Sequence, residues 1–281
     1  MFAQLFRVYQ WYKNLLVFLP LIFAGLLFDG RSIFLTIGGF LALCFMSSTN
    51  YLLNDIIDKD KDITHPEKQH RPIVSGSVSP LVAAVLAFFF AAVSLGIGIF
   101  LSSKFFIVLL LFFFLTQAYS LYFKTELFAD LIFISINFVL RAMSGAFILD
   151  VRLSPWLIVC PFFLSLFIVV GKRKAELIFL GKGAKKHNEI LEQYTLQITN
   201  TLMILATAAL LLSYSLYSFL SVYPFLIYSL PFSLYVILRY FFLGEKNSPI
   251  ARKPEFFYTD KKLVLGVLLW VFSVVFIMYF L

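Results

Sequence analysis

The sequence predicts an all-α integral membrane protein with nine transmembrane helices, and three observations carry that prediction. First, 61% of the 281 residues are hydrophobic and only 14% are charged, with a mean hydropathy of +0.93. Water does not tolerate that much apolar surface, whereas a bilayer solvates it. Second, the apolar residues fall into runs close to the roughly 20 that a spanning helix needs. Third, the loop cations segregate almost entirely to one side of those runs.

The expected first span covers about 12–29. No small-residue cleavage site follows it, so it reads as a retained helix and not as a signal peptide. Further spans follow at about 32–54, 79–102, 105–123, 127–149 and 154–171; the fifth contains Asp130 and Arg141. From Gln193 to Leu238 there is no charge, and that stretch is too long for one helix. It divides at "SVYPF" (221–225), where Pro224 interrupts helical hydrogen bonding, into spans at 196–219 and 223–243. A ninth runs from 263 to 281. The whole of 1–281 reads as one transmembrane domain.

With the N-terminus in the cytoplasm, nineteen Lys and Arg lie on the cytoplasmic side. Only Arg31, Lys104 and Arg152 lie opposite, and Arg141 sits within a span. The positive-inside rule thus orients the bundle N-in and C-out in a plasma (inner) membrane. The loops 55–78, 172–195 and 244–262 then face the cytoplasm and carry most of the polar chemistry. A net charge of +8 would point to nucleic acid in a soluble protein. Here it reads as orientation and as attraction to anionic lipid or phosphate, with no nucleic-acid partner expected. Cys44 and Cys160 lie inside apolar runs, where they read as small hydrophobes, with no disulfide and no metal-site spacing.

The stretch "NDIIDKDKD" (54–62) closes the second span and holds four of the fifteen acidic residues. At about 100° per residue, Asp55, Asp58 and Asp62 fall on one face, and Asp60 points away as a solvated bystander. Like charges so placed destabilise a helix unless a cation sits among them. Mg²⁺ takes hard oxygen ligands and bridges carboxylates to phosphates, and Asn54 adds a neutral oxygen. The competing reading is a solvated helix end offset by Lys59 and Lys61. The next residues, "HPEKQHRPIVSG" (65–76), supply Lys68 and Arg71. Acid for metal followed by base for phosphate suits a diphosphate. EF-hand spacing is absent, and His65 and His70 imply no metal geometry.

An N-D-x-x-D-x-x-x-D motif at the end of the second of nine helices, followed by R-P, resembles the UbiA-type superfamily of intramembrane prenyltransferases. The resemblance implies a single helical bundle around a cavity open to the cytoplasm. Most of that superfamily carries a second Asp-rich motif after the sixth span; this chain has "GKRKAE" (171–176), with Glu176 its only acid. Together with "RVYQWYKN" (7–14), "HPEKQHRPI" (65–73), "YSLYFK" (119–124), "FVLRAMSGAF" (138–147), "SPWLIV" (154–159) and "PEFFYTDKKL" (254–263), it resembles the decaprenyl-phosphate phosphoribosyltransferase branch. That branch transfers 5-phosphoribose from phosphoribosyl diphosphate to a polyprenyl monophosphate, making a precursor of arabinose donors for cell-wall polysaccharide.

The resemblance implies that Asp55, Asp58 and Asp62 are catalytic through Mg²⁺. Lys68, Arg71, Lys172 and Arg173 become candidates for the phosphates of donor and acceptor. Lys13 and Asn14, at the start of the first helix, are expected to meet the same pocket. Asp130 is expected near its mouth beside Tyr119 and Lys124, with Asn137 two turns deeper as a candidate for ribose hydroxyls. Arg141 either lines the cavity or snorkels to the far leaflet, and polar glue between helices is the alternative for all three spanning residues. The loop 181–194 has Glu189, Leu191, Glu192 and Tyr194 at helical spacing, as in a short amphipathic lid; His187 reads as solvated. Some of the 36 Phe are expected to line a lateral groove for the prenyl chain, where each buried CH₂ adds about 0.8 kcal/mol. The alternatives are an aromatic prenyltransferase of the same fold, disfavoured by the missing second Asp-rich motif, and a lipid-phosphate or ion transporter. Against transport, the acids gather at one membrane face and not at the midplane.

Overall fold

The computed structural model describes residues 2–63, 68–180, 189–246 and 248–281. Among them there is no strand, and eight helices are long and apolar enough to cross a membrane. We label the long helices α1 (Gly30–Ile57), α2 (Pro80–Leu101), α3 (Ser103–Leu121), α4 (Ala129–Ile148), α5 (Trp156–Leu180), α6 (Leu196–Leu220), α7 (Leu230–Glu245) and α8 (Lys261–Phe280). A 3-10 turn, Pro224–Ser229, leads into α7. The segment expected as a first span is a 3-10 helix, Val8–Phe18, followed by a short α-helix, Leu19–Phe23, which ends at Gly25 in the left-handed region.

Local chemistry explains the helix ends. Asp29 accepts from the Ser32 N–H at 2.8 Å and starts α1. Ser79 caps α2 with Pro80 in the first turn, where a missing N–H costs nothing. Ser102, fully extended, ends α2 and caps α3, so the two helices form a tight hairpin. Thr195 caps α6 and Asp260 caps α8. α5 runs on to Leu180, beyond the expected end at 171. "GKRKAELIFL" is rich in good helix formers, and Lys172 and Arg173 reach Glu176 at 3.8 and 3.0 Å, one turn away. The "GKRKAE" residues are therefore helical, not a loop.

The chain packs as two compact units, 1–124 with 140–153, and 125–139 with 154–281. In the first, Val17, Leu43, Met46, Phe105, Leu109, Phe112 and Ile148 form one core, and Leu5, Leu52 and Ile73 a second. In the second, Leu131, Phe167, Val170, Ile190, Leu191, Met203 and Tyr240 pack together. The described part of the expected lid is thus a 3-10 turn, Glu189–Glu192, anchored by buried Ile190 and Leu191; residues 181–188, with His187, lie outside the described residues. The apolar side chains turned outward, such as Phe100 (92% exposed) and Phe88 (78%), suit lipid. Cys44 and Cys160 are free thiols.

Gly145 allows the N-terminal segment to lie directly on α4: a Cβ there would collide with the Val17 carbonyl oxygen and stand 2.9 Å from Pro20 Cδ. Backbone and proline ring yield little, so Gly145→Leu is expected to destabilise the detergent-solubilised protein by about 1–3 kcal/mol or more. Gly96, with nothing within 4 Å of its added Cβ, is the control: Gly96→Ala is expected to be neutral or stabilising by up to about 1 kcal/mol. Unfolding followed by circular dichroism compares the two.

Candidate functional site

The first unit gathers its charges where α1 ends. Asp55 is buried, and its Oδ1 accepts from both Arg7 Nη2 and Arg71 Nη1, the latter at 3.0 Å. The same Nη1 of Arg71 also bonds Asp62 Oδ2, and Lys68 Nζ stands 3.4 Å from Asp62 Oδ1. Asp58 lies apart, paired with Lys124. The expected single face of three carboxylates therefore does not assemble. α1 stops at Ile57, and Asp58 leaves helical geometry at ψ 5 before the short helix Lys59–Asp62. The turn sends Asp58 to one cation and leaves Asp55 and Asp62 converging on another. Asp60 is exposed, and the Asn54 carbonyl accepts the Asp58 N–H at 2.9 Å.

Arg7, from sequence one of the orienting cations, joins this cluster through Asp55. Its backbone is left-handed, φ 48 and ψ 48, a strained state for a residue with a side chain. Contacts on both sides hold it there. Leu5 is buried, the Phe6 carbonyl accepts from Ser48 Oγ at 2.9 Å, and Trp11 Nε1 donates to the same Ser48 Oγ at 3.1 Å. The guanidinium lies 4.7 Å from the centre of the Tyr51 ring. The sequence signal was "RVYQWYKN" itself: an Arg set one turn before two aromatic residues, with no acid nearby in the chain.

Deeper in the same unit, Arg141 Nε donates to Asn14 Oδ1 at 2.8 Å and its guanidinium lies 4.5 Å from the centre of the Phe112 ring. Of its two expected fates, the interior one is realised; Arg141 is buried and does not snorkel. Asn14 also accepts from Ser47 Oγ and donates to Cys44 Sγ, both at 3.3 Å. Asn14 is thus committed to holding Arg141, while Lys13, its neighbour, is half-buried beside Tyr12. Asn50 was also missed. Its Oδ1 accepts from Gln117 Nε2 at 2.7 Å, and its buried Nδ2 has no protein partner. Tyr119 lies half-buried near the end of α3.

The second unit has a different kind of cluster. Asp130, fully buried at the start of α4, accepts from Arg173 Nε at 2.9 Å and from the Tyr194 hydroxyl at 2.7 Å. Arg173 also donates to Glu176 at 3.0 Å. Arg173, expected on a phosphate, thus has Asp130 and Glu176 as its partners in this unit. A buried carboxylate is stable only with a cation against it, and Arg173, reaching from α5, meets that need. Lys172 is 45% exposed and remains open to an anion. Lys174, not singled out from sequence, pairs with Glu245 at the end of α7. Asn137 is buried on α4. Burial, then the hydrogen bond to Asp130 and the Asp130 charge, push the Tyr194 hydroxyl above its ordinary range, so it stays a donor.

The donor set of the first unit fits Mg²⁺ in a limited way. Among the described residues no group of three or more His, Cys, Asp or Glu is arranged around one point. Two carboxylates do converge, because Asp55 and Asp62 share one nitrogen of Arg71, which marks a cation position between them. Mg²⁺ needs only one or two carboxylates when phosphates and waters complete its octahedron.

Comparison with known proteins agrees with this arrangement at the level of family and fold. The UbiA prenyltransferase family matches residues 17–260. A decaprenyl-phosphate phosphoribosyltransferase of Mycolicibacterium smegmatis is 33% identical over 217 residues, covering 76% of this chain and 68% of that one. The enzyme of the same name from Corynebacterium glutamicum is 31% identical over 284 residues, covering 97% and 85%. In fold, a UbiA homologue from Archaeoglobus fulgidus bound to GPP and Mg²⁺ superposes with a TM-score of 0.76 at 17% identity, covering 100% of this chain and 99% of that one.

The Asp130 cluster gives a prediction about stability. Arg173→Met strands a buried carboxylate and is expected to cost about 3–5 kcal/mol in chemical unfolding. Adding Asp130→Asn is expected to recover a large part of that loss, because no charge is then left unpaired. The raised Tyr194 value has its own sign. Its contribution to stability is fully present below the ordinary tyrosine value of about 10 and is lost as pH rises beyond it. In Tyr194→Phe the alkaline slope of the unfolding curve is expected to shrink.

Proposed function

The chain belongs to the UbiA prenyltransferase family, and from that premise we propose that it is a transferase moving 5-phosphoribose from phosphoribosyl diphosphate to a decaprenyl-type polyprenyl monophosphate, with Mg²⁺ as cofactor. The observation that carries this reading is the mixed cluster of the first unit. Two buried carboxylates, Asp55 and Asp62, are interleaved with Arg7, Lys68 and Arg71. Such a set offers oxygens to a metal and charge-assisted donors to phosphate at one place. The similarity to the decaprenyl-phosphate phosphoribosyltransferases of M. smegmatis and C. glutamicum supports phosphoribose as the group transferred. The loop cations support a site facing the cytoplasm, where a water-soluble sugar diphosphate is available; in this reading the product is a precursor for cell-wall polysaccharide.

In this reading Asp55 and Asp62 hold Mg²⁺, which when bound supplies positive charge against the diphosphate. Lys68 and Arg71 orient the diphosphate and stabilise the charge that grows on it. The bond from ribose C1 to the diphosphate oxygen breaks, and its electron pair leaves with the diphosphate. An oxygen of the lipid phosphate supplies a pair to C1 from the opposite face, inverting the anomeric centre. C1 becomes oxocarbenium-like between the two, as in glycosyl transfer generally. The nucleophile is already an anion near neutral pH, so the residues need to position and to neutralise, not to remove a proton. Lys172, exposed on α5, is a candidate for an incoming phosphate. Asp58 serves this site from one step away, by holding Lys124. Asn137 remains a candidate for a ribose hydroxyl.

The test is direct. Purified protein given Mg²⁺, phosphoribosyl diphosphate and a polyprenyl phosphate is expected to release diphosphate and form a phosphoribosyl lipid, read by mass spectrometry. Turnover with a prenyl diphosphate and an aromatic acid instead would place the chain with aromatic prenyltransferases and overturn the donor assignment. Asp55→Asn is expected to lower kcat by about 100-fold or more, with the helical signal of the protein retained.

A further inference from the structure

We propose that Arg71 is a place-holding cation: its guanidinium keeps Asp55 and Asp62 together until a metal–diphosphate complex arrives, whereupon the metal takes the carboxylates and Arg71 turns to the phosphates. The inference rests on the diphosphate reading above and adds an order to it.

The geometry is specific. One nitrogen, Arg71 Nη1, contacts Asp55 Oδ1 at 3.0 Å and also Asp62 Oδ2. Both carboxylate side chains are all but closed to water, at 3% and 4% exposure. Two carboxylates that close and that dry repel strongly unless a cation stands between them. Arg7 meets Asp55, and Lys68 reaches Asp62 at 3.4 Å. Arg71 bridges both acids, the role a metal ion would take.

Arg71 is also built to leave. Its backbone is fixed: its N–H donates to the Lys68 carbonyl at 3.0 Å, its carbonyl accepts the Ser75 N–H at 2.8 Å, and Ile73 is buried beside it. Its side chain, in contrast, is 24% exposed, so rotation about side-chain bonds is enough. The planar fork that fits carboxylates also fits phosphate. With Arg7, Lys68 and Arg71 against Asp55 and Asp62, the cluster holds one positive charge more than these acids satisfy, and a diphosphate supplies the missing anion.

The consequence is coupling. A metal ion alone must expel a bound cation that then has no anion to go to. A metal ion arriving with diphosphate gives Arg71 a new partner. Removing Arg71 should therefore strengthen binding of the metal by itself and weaken binding of the metal–diphosphate complex.

The experiment uses the full chain in detergent, with Mn²⁺ as the probe. Binding of Mn²⁺ alone is read by the electron paramagnetic resonance of the free ion, and binding of preformed Mn²⁺–diphosphate by calorimetry. Arg71→Gln is expected to bind Mn²⁺ alone on the order of tenfold tighter, and Mn²⁺–diphosphate on the order of tenfold weaker. Mn²⁺ affinity unchanged or lowered in Arg71→Gln overturns the place-holding role. A wild-type protein that binds Mn²⁺ but not Mn²⁺–diphosphate overturns the diphosphate reading instead, and the Mn²⁺ comparison still judges Arg71. Should Arg71→Gln not fold, Arg71→Lys carries the same test. A compact ammonium bridges two carboxylates less well, and a few-fold gain in Mn²⁺ affinity is expected; no gain rejects the proposal.

Discussion

A carboxylate taken out of water must have a cation against it, and in this protein a guanidinium meets that need in both units. Asp55 is held by Arg7 and Arg71, and Asp130 by Arg173. The effective penalty for burying an unpaired ion is several kcal/mol, comparable to the whole stability of an ordinary fold. Much of the local architecture serves these pairs. The N-terminal segment buries Leu5, ties Phe6 to Ser48 and strains the Arg7 backbone, and the outcome is one guanidinium on one carboxylate. In the second unit α5 continues past its apolar run far enough to bring Arg173 to Asp130.

The two clusters differ in balance of charge. In the second unit Lys172, Arg173 and Lys174 face Asp130, Glu176 and Glu245, and the named charges cancel. In the first, Arg7, Lys68, Arg71 and Lys124 face Asp55, Asp58 and Asp62. One positive charge is left over, at a place where α1 ends and side chains are partly open to water. A surplus of cations favours an anion such as the diphosphate proposed above, whereas a balanced set has less need of one.

The polar residues inside the apolar runs follow the same rule with weaker partners. Arg141 is satisfied by the Asn14 carbonyl oxygen and the face of Phe112. Asn14 in turn links the N-terminal segment to α1 through Ser47 and Cys44. Sequence reading placed Asn14 and Arg141 in one pocket as substrate contacts. Their mutual bond shows at least part of their role to be cohesion within the first unit, as polar side chains in apolar surroundings commonly provide.

The sequence alone determined the membrane class, the positions of eight spanning helices to within a few residues except the end of α5, which runs to Leu180 and not 171, and the resemblance to an intramembrane transferase family. These depend on local quantities: the length of apolar runs, a proline at 224, and the spacing of Asp55, Asp58 and Asp62. It also marked "RVYQWYKN", "HPEKQHRPI" and "GKRKAE" as stretches that matter, without saying what each side chain would touch. Only the tertiary structure decided the pairing. Arg7 meets Asp55 across 48 positions, Lys124 meets Asp58 across 66, and Arg173 meets Asp130 across 43. Helical periodicity tells which face a carboxylate occupies. It carries no information about which of many loop cations will be folded onto that face, because that is set by how far each helix runs and where the chain turns.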